Sequence, residues 1–93
     1  MSRKSVTRSI AAENLYTDSV QVVGYFNLSI SGTWVATVTV QRSFDQSATW
    51  HDVDTWTTNA EEYGLEPEGG IHYRVGIKTG EFTSGTCVVR LSQ

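Results

Sequence analysis

Ninety-three residues suit one domain and are too few for two, and the single cysteine, Cys87, excludes an internal disulfide. The 39% hydrophobic content, with three Trp, four Tyr and three Phe, is enough to fill one core. The formal charge of −3 is uneven: Arg3, Lys4 and Arg8 sit at the N-terminus, leaving four basic against ten acidic residues from residue 9 onward. An acidic body of that kind excludes a protein that works by neutralising nucleic-acid phosphates.

No apolar run follows the N-terminal basic residues and none approaches the length needed to cross a bilayer. The expectation is therefore a soluble chain without a signal peptide, made in a cytoplasm. Abundant Thr and Ser, Val as the leading aliphatic residue and one proline, Pro67, are the composition of strands.

Residues 1–10 carry the N-terminal cations and read as a basic arm ahead of one sandwich domain over 11–93. The arm is either a solvated terminus or a contact for an acidic partner surface. A first strand is expected near Ser5 to Leu15. The clearest run is Ser19 to Ser31, where Val20, Val22, Gly24, Phe26, Leu28 and Ile30 alternate with polar neighbours. Ser31-Gly32-Thr33 reads as a turn, pairing this strand in a hairpin with Trp34, Ala36, Val38 and Val40. The next strand spans about Thr49 to Thr57, with Val53 opposite Trp50 and Trp56. Ala60 to Tyr63 is a short strand, and Gly64 to Gly70 an acidic loop. Ile71, Tyr73, Val75 and Ile77 alternate again, Thr79-Gly80-Glu81 turns the chain, and a last strand runs from Phe82 to Leu91. About seven short antiparallel strands predict an all-β, immunoglobulin-like or fibronectin III-like sandwich.

Ser43-Phe44-Asp45-Gln46-Ser47-Ala48-Thr49-Trp50 resembles the Asp-box, a β-hairpin with the pattern Ser, any, Asp, any, Gly, any, Thr, Trp. The resemblance implies that Asp45 folds back on the turn amides while Trp50 packs beneath. Ser47 replaces the glycine, which adds strain if that position needs positive φ. In sialidases and other glycan-acting proteins the box recurs once per propeller blade and lies away from the catalytic centre; here it occurs once. Ser43, Asp45, Thr49 and Trp50 are thus expected to build the fold. Leu65-Glu66-Pro67 leading to Tyr73 is similar to the tyrosine corner of fibronectin type III domains, in which the hydroxyl reaches back to the loop backbone.

Catalytic chemistry finds little support. His51 and His72 read as outward strand residues and Cys87 as a small buried hydrophobe. No zinc spacing is present, and no glycine-rich phosphate loop precedes a helix. Asp52 and Asp54 share a strand face: a calcium-ligand pair if a third carboxylate joins them, solvated acids otherwise. The expectation is a non-enzyme without cofactor or metal. Trp34, Trp50 and Trp56 are more than one narrow core readily holds, and Tyr25 falls on the polar face of its strand. Either at least two Trp are buried, or an exposed aromatic platform serves subunit contacts or stacks on sugar rings.

From Gly24 to Gln93 the chain resembles a group of small virion accessory proteins of tailed bacteriophages. Ser29-Ile30-Ser31-Gly32-Thr33-Trp34, Val38 to Asp45, Arg74 to Gly80 and Arg90-Leu91-Ser92-Gln93 carry the resemblance. It implies a structural protein, placed in the virion after assembly in the bacterial cytoplasm. Its partners would be a major capsid protein, as decoration or cement, or portal and tail proteins. It would act as a homo-oligomer or in many copies, without nucleic acid or membrane. Arg3, Lys4, Arg8, Tyr25, Trp34 and Trp56 are the candidate contacts. A carbohydrate-binding module aiding adhesion to a host cell surface is the alternative.

Overall fold

The computed structural model describes residues 4–93. They form seven strands: β1 (Ser5–Ile10), β2 (Leu15–Tyr16), β3 (Val20–Ala36), β4 (Val38–Ser43), β5 (His51–Trp56), β6 (Ala60–Ile77) and β7 (Phe82–Ser92). All pair antiparallel in one sheet of order β1-β7-β3-β6-β4-β5, with β2 added on β6. The path is open, ending at β1 and β5. No described helix is long and apolar enough to cross a membrane.

The alternation read along Val20 to Ile30 places Val22, Phe26, Leu28 and Ile30 in the core. Ile71, Tyr73, Val75 and Ile77 join them, as do Cys87, Val89 and Leu91. One face of a lone sheet cannot be sealed this way, so the sheet folds over on itself as in a sandwich. Its extents of 36 × 27 × 18 Å fit two thin layers around a shared core.

β3 and β6 are far longer than ordinary strands because each runs through both layers. Val20–Val22 pair with 71–73, the register then shifts, and Gly24 to Ile30 pair with residues 60–66. The offset leaves residues 67–70 bulged out of the ladder, where Pro67 lacks a donor without cost. Gly24 and Gly70 flank the shift with φ of 83° and 82°.

Three expectations are corrected. Ser31-Gly32-Thr33 is not a turn: β3 continues through it, and β4 pairs with β5 and β6, not with β3. Gly32 has φ of 102°, and a side chain there would sit 2.4 Å from the Thr86 carbonyl oxygen. Glycine is present because two backbones meet closely, with Gly85 doing the same from the opposite strand. The chain instead leaves β3 at Thr37, whose amide donates to the Glu81 carbonyl at 2.9 Å. Residues 64–70 are not a separate loop but the middle of β6.

The basic arm expected over 1–10 is also revised. Residues 1–3, including Arg3, lie outside the described residues. Ser5–Ile10 is β1, paired along its length with β7. The strand stops short of Leu15, because the chain turns at 11–14 with Asn14 at φ 57°.

Candidate functional site

The Asp45 hairpin closes as its motif implies. Asp45 Oδ1 accepts from the Ser43 hydroxyl at 2.7 Å and from the Thr49 amide at 3.0 Å, while Oδ2 takes the Thr49 hydroxyl. Ser43 Oγ in turn accepts from the Ser47 amide at 2.9 Å. Hydrogen bonds from Thr49 first, then Ser43, hold the Asp45 carboxyl well below its usual range. Ser47 stands at φ 73° and Gln46 at 59°, so the position that carries glycine in the motif does need a left-handed backbone. Phe44 projects from the hairpin and stacks on His51 with ring centroids 5.0 Å apart.

Trp50 holds the guanidinium of Arg74 4.4 Å from its ring centre, and Tyr16 holds the same group at 3.9 Å on its own ring. Burial lowers the Arg74 pKa from its ordinary value. Arg74 Nε donates to Gln41 at 2.8 Å, Gln41 donates to Asp52 at 2.9 Å, and Lys78 donates to Asp52 at 2.7 Å. Asp52 is thereby committed within the fold, and Asp54 turns to the amide of Thr55 at 2.8 Å. Among the described residues no group of His, Cys, Asp and Glu is gathered to hold a metal ion.

A second network lies under the bulge of β6. Glu66, 2% exposed, accepts on Oε1 from Tyr73 at 2.7 Å and from Arg42 Nη2 at 2.8 Å and Nε at 3.2 Å. Its Oε2 accepts from the Glu68 amide at 3.0 Å. The tyrosine therefore reaches the segment its motif implies, but meets a carboxylate and not the backbone. Burial pushes the Glu66 carboxyl up, and the bonds from Tyr73, Glu68 and Arg42 together outweigh it, for a net lowering. Burial, then the Glu66 bond, pushes the Tyr73 hydroxyl up to about 12. Every partner is satisfied, which marks a structural ion pair.

The candidate contact residues separate. Tyr25 is exposed, as expected from its face. Trp34 and Trp56 pack partly against the core, and Trp34 Nε1 donates to Asn59 at 2.7 Å, so they form no shared platform. Val53 is half exposed and is left unpaired by the register shift between Val40 and Gln41. Lys4 Nζ donates to the Gln21 carbonyl and Arg8 Nη1 to the Tyr16 carbonyl, both at 2.9 Å. Cys87 is fully buried, which raises its thiol to about 11.

Beside Val23 and Tyr25 the structure exposes Tyr63 and Leu65, which the sequence reading missed. Tyr63 and Leu65 share parity with the core residues Ile71 and Tyr73, which predicts them inward. The odd offset across the bulge reverses the face.

The two terminal strands of the sheet order differ. Lys4 and Gln93 exchange both backbone bonds, at 3.1 and 2.8 Å. Antiparallel alternation then turns the amides and carbonyls of Ser5, Thr7 and Ser9 away from β7. No strand covers this side of β1 among the described residues. At the opposite edge, β5 carries Asp52 and Asp54, and Asp54 occupies an edge amide. Comparison with known proteins returned no matching family model, no matching curated protein and no matching solved structure.

Proposed function

We propose that this chain is a non-catalytic structural subunit of a tailed-phage particle, held on its neighbours by strand addition to β1. The observation that carries the reading is the asymmetry of the edges. Natural sheets blunt their edges with charge or cover them. On β5 the Asp54 carboxylate takes up the Thr55 amide, whereas on β1 the outward groups of Ser5, Thr7 and Ser9 stay unpaired, with Lys4 and Arg8 turned onto the carbonyls of Gln21 and Tyr16. A partner strand can add to such an edge through main-chain bonds, its orientation favoured by acidic side chains facing the basic ones. The sequence resemblance supplies the setting, with capsid, portal or tail subunits as the partners, and repetition over a symmetric particle makes weak contacts sufficient.

Thr7→Pro tests this directly. The Thr7 amide faces away from β7, so proline removes an edge donor and spares the β1–β7 ladder. The variant should fold with an unchanged far-ultraviolet spectrum, yet fail to co-sediment with particles that bind the wild-type chain. Undiminished co-sedimentation contradicts the edge docking.

A further inference from the structure

The outer face around β3 is not flat. Across β6, β3 and β7, the register sets Tyr63, Asn27 and Ser92 in one row and Glu61, Ser29 and Arg90 in the next. Residues paired in this way point to the same side of the sheet. The central strand contributes the short side chains of Asn27 and Ser29. Tyr63 and Glu61 rise on one side and Arg90 on the other. Short residues between tall ones form a trough of about 440 Å³, within the range of small-molecule sites.

The chemistry of the trough restricts its occupant. β3 is paired on both sides here, so a peptide lying in the trough finds no free ladder on its floor. Any ligand must be held by side chains. The walls bear opposite charges about 10 Å apart, two strand spacings. Glu61 accepts from Ser29 through Oε2 at 2.6 Å and keeps its other oxygen, and Arg90 has no ion pair among the described residues. An anion is repelled by one wall and a cation by the other. Hydroxyl groups both donate and accept, so a neutral polyol satisfies both. At the mouth, Tyr63 and Tyr25 are 75% and 67% exposed, with rings 6.2 Å apart and tilted by 56°. Such exposed ring faces suit the apolar face of a pyranose.

We infer that this trough is a binding site for a neutral oligosaccharide. A sugar ring stacks on Tyr63, and its hydroxyls bridge Glu61, Asn27 and Arg90. The site lies on the sheet face, and β1 adjoins its Arg90 wall through the Thr7–Arg90 pair.

The test is a titration of the ¹⁵N-labelled full chain with soluble neutral hexose and N-acetylhexosamine oligomers, with uronic-acid oligomers in parallel. At least one neutral oligomer should give saturable shifts centred on Asn27, Ser29 and Arg90. Tyr63→Ala and Arg90→Ala should each weaken it about tenfold, with melting temperatures showing that both remain folded. Phe44→Ala, on the distant hairpin, should leave affinity unchanged. No saturable shift with any neutral oligomer, binding undiminished in Tyr63→Ala, or a preference for uronic-acid oligomers overturns the inference.

Discussion

Tyr73 donates its hydroxyl to Glu66 at 2.7 Å, joining a core strand to the bulge of the same strand beneath Arg42. The carboxylate is buried but fully partnered, so its worth shows only when a partner is taken away. Tyr73→Phe removes one charge-assisted bond and should lower stability by about 2 kcal/mol. Glu66→Ala strands Arg42 and should cost about 3 kcal/mol. Urea unfolding checks both, and equal midpoints for wild type and Glu66→Ala would contradict the network.

Acid should weaken the fold in a defined direction. The Glu66 carboxyl lies below its ordinary 4.5 in the folded chain. The folded state therefore binds that proton less readily than the unfolded state. The resulting stability is complete above about pH 4.5 and is lost as pH falls through the folded value. Asp45, lowered from 3.8, adds to the same limb. Thermal midpoints should fall as pH drops below about 4.5, and Glu66→Gln should flatten that fall. An identical acid limb in Glu66→Gln would assign it to other groups.

The Asp45 hairpin carries a residue that its backbone does not favour. Ser47 at φ 73° pays a left-handed cost that glycine avoids, partly offset by the greater freedom of unfolded glycine. Ser47→Gly should raise stability by about 0.5 kcal/mol. A lower melting temperature would show that the serine side chain contributes something beyond its backbone.

Periodicity in the sequence was enough to place Val22, Leu28, Ile71, Val75, Val89 and Leu91 inside, because alternation reports a buried face directly. Strand partners were not legible. Ser31-Gly32-Thr33 has turn composition, yet Gly32 is there to let Thr86 approach, and Thr86 lies 54 residues later. Likewise, Gly64 to Gly70 has the glycine and proline of a loop while serving as a bulged strand. Glu66 looked like one acid of an acidic loop because its partner Arg42 is 24 residues away. The motif chemistry at Asp45 was local, spanning Ser43 to Thr49, and so could be read. The outward face at Tyr63 depended on the bulge and could not.

Gly32→Ala separates these readings of residues 31–33. In a free turn the change would be mild. In the continuous β3, a Cβ meets the Thr86 carbonyl oxygen at 2.4 Å with φ at 102°, so the loss should exceed about 1 kcal/mol. A loss below that in chemical denaturation would favour the turn.

The most direct measurement of edge docking is amide hydrogen exchange at β1 in the free chain and on the assembled particle. In the free chain, Val6, Arg8 and Ile10 should be protected by β7, while Ser5, Thr7 and Ser9 exchange fast. On the particle, Ser5, Thr7 and Ser9 should become protected while β5 is unchanged. Equal, fast exchange of those amides in both states would contradict strand addition at β1.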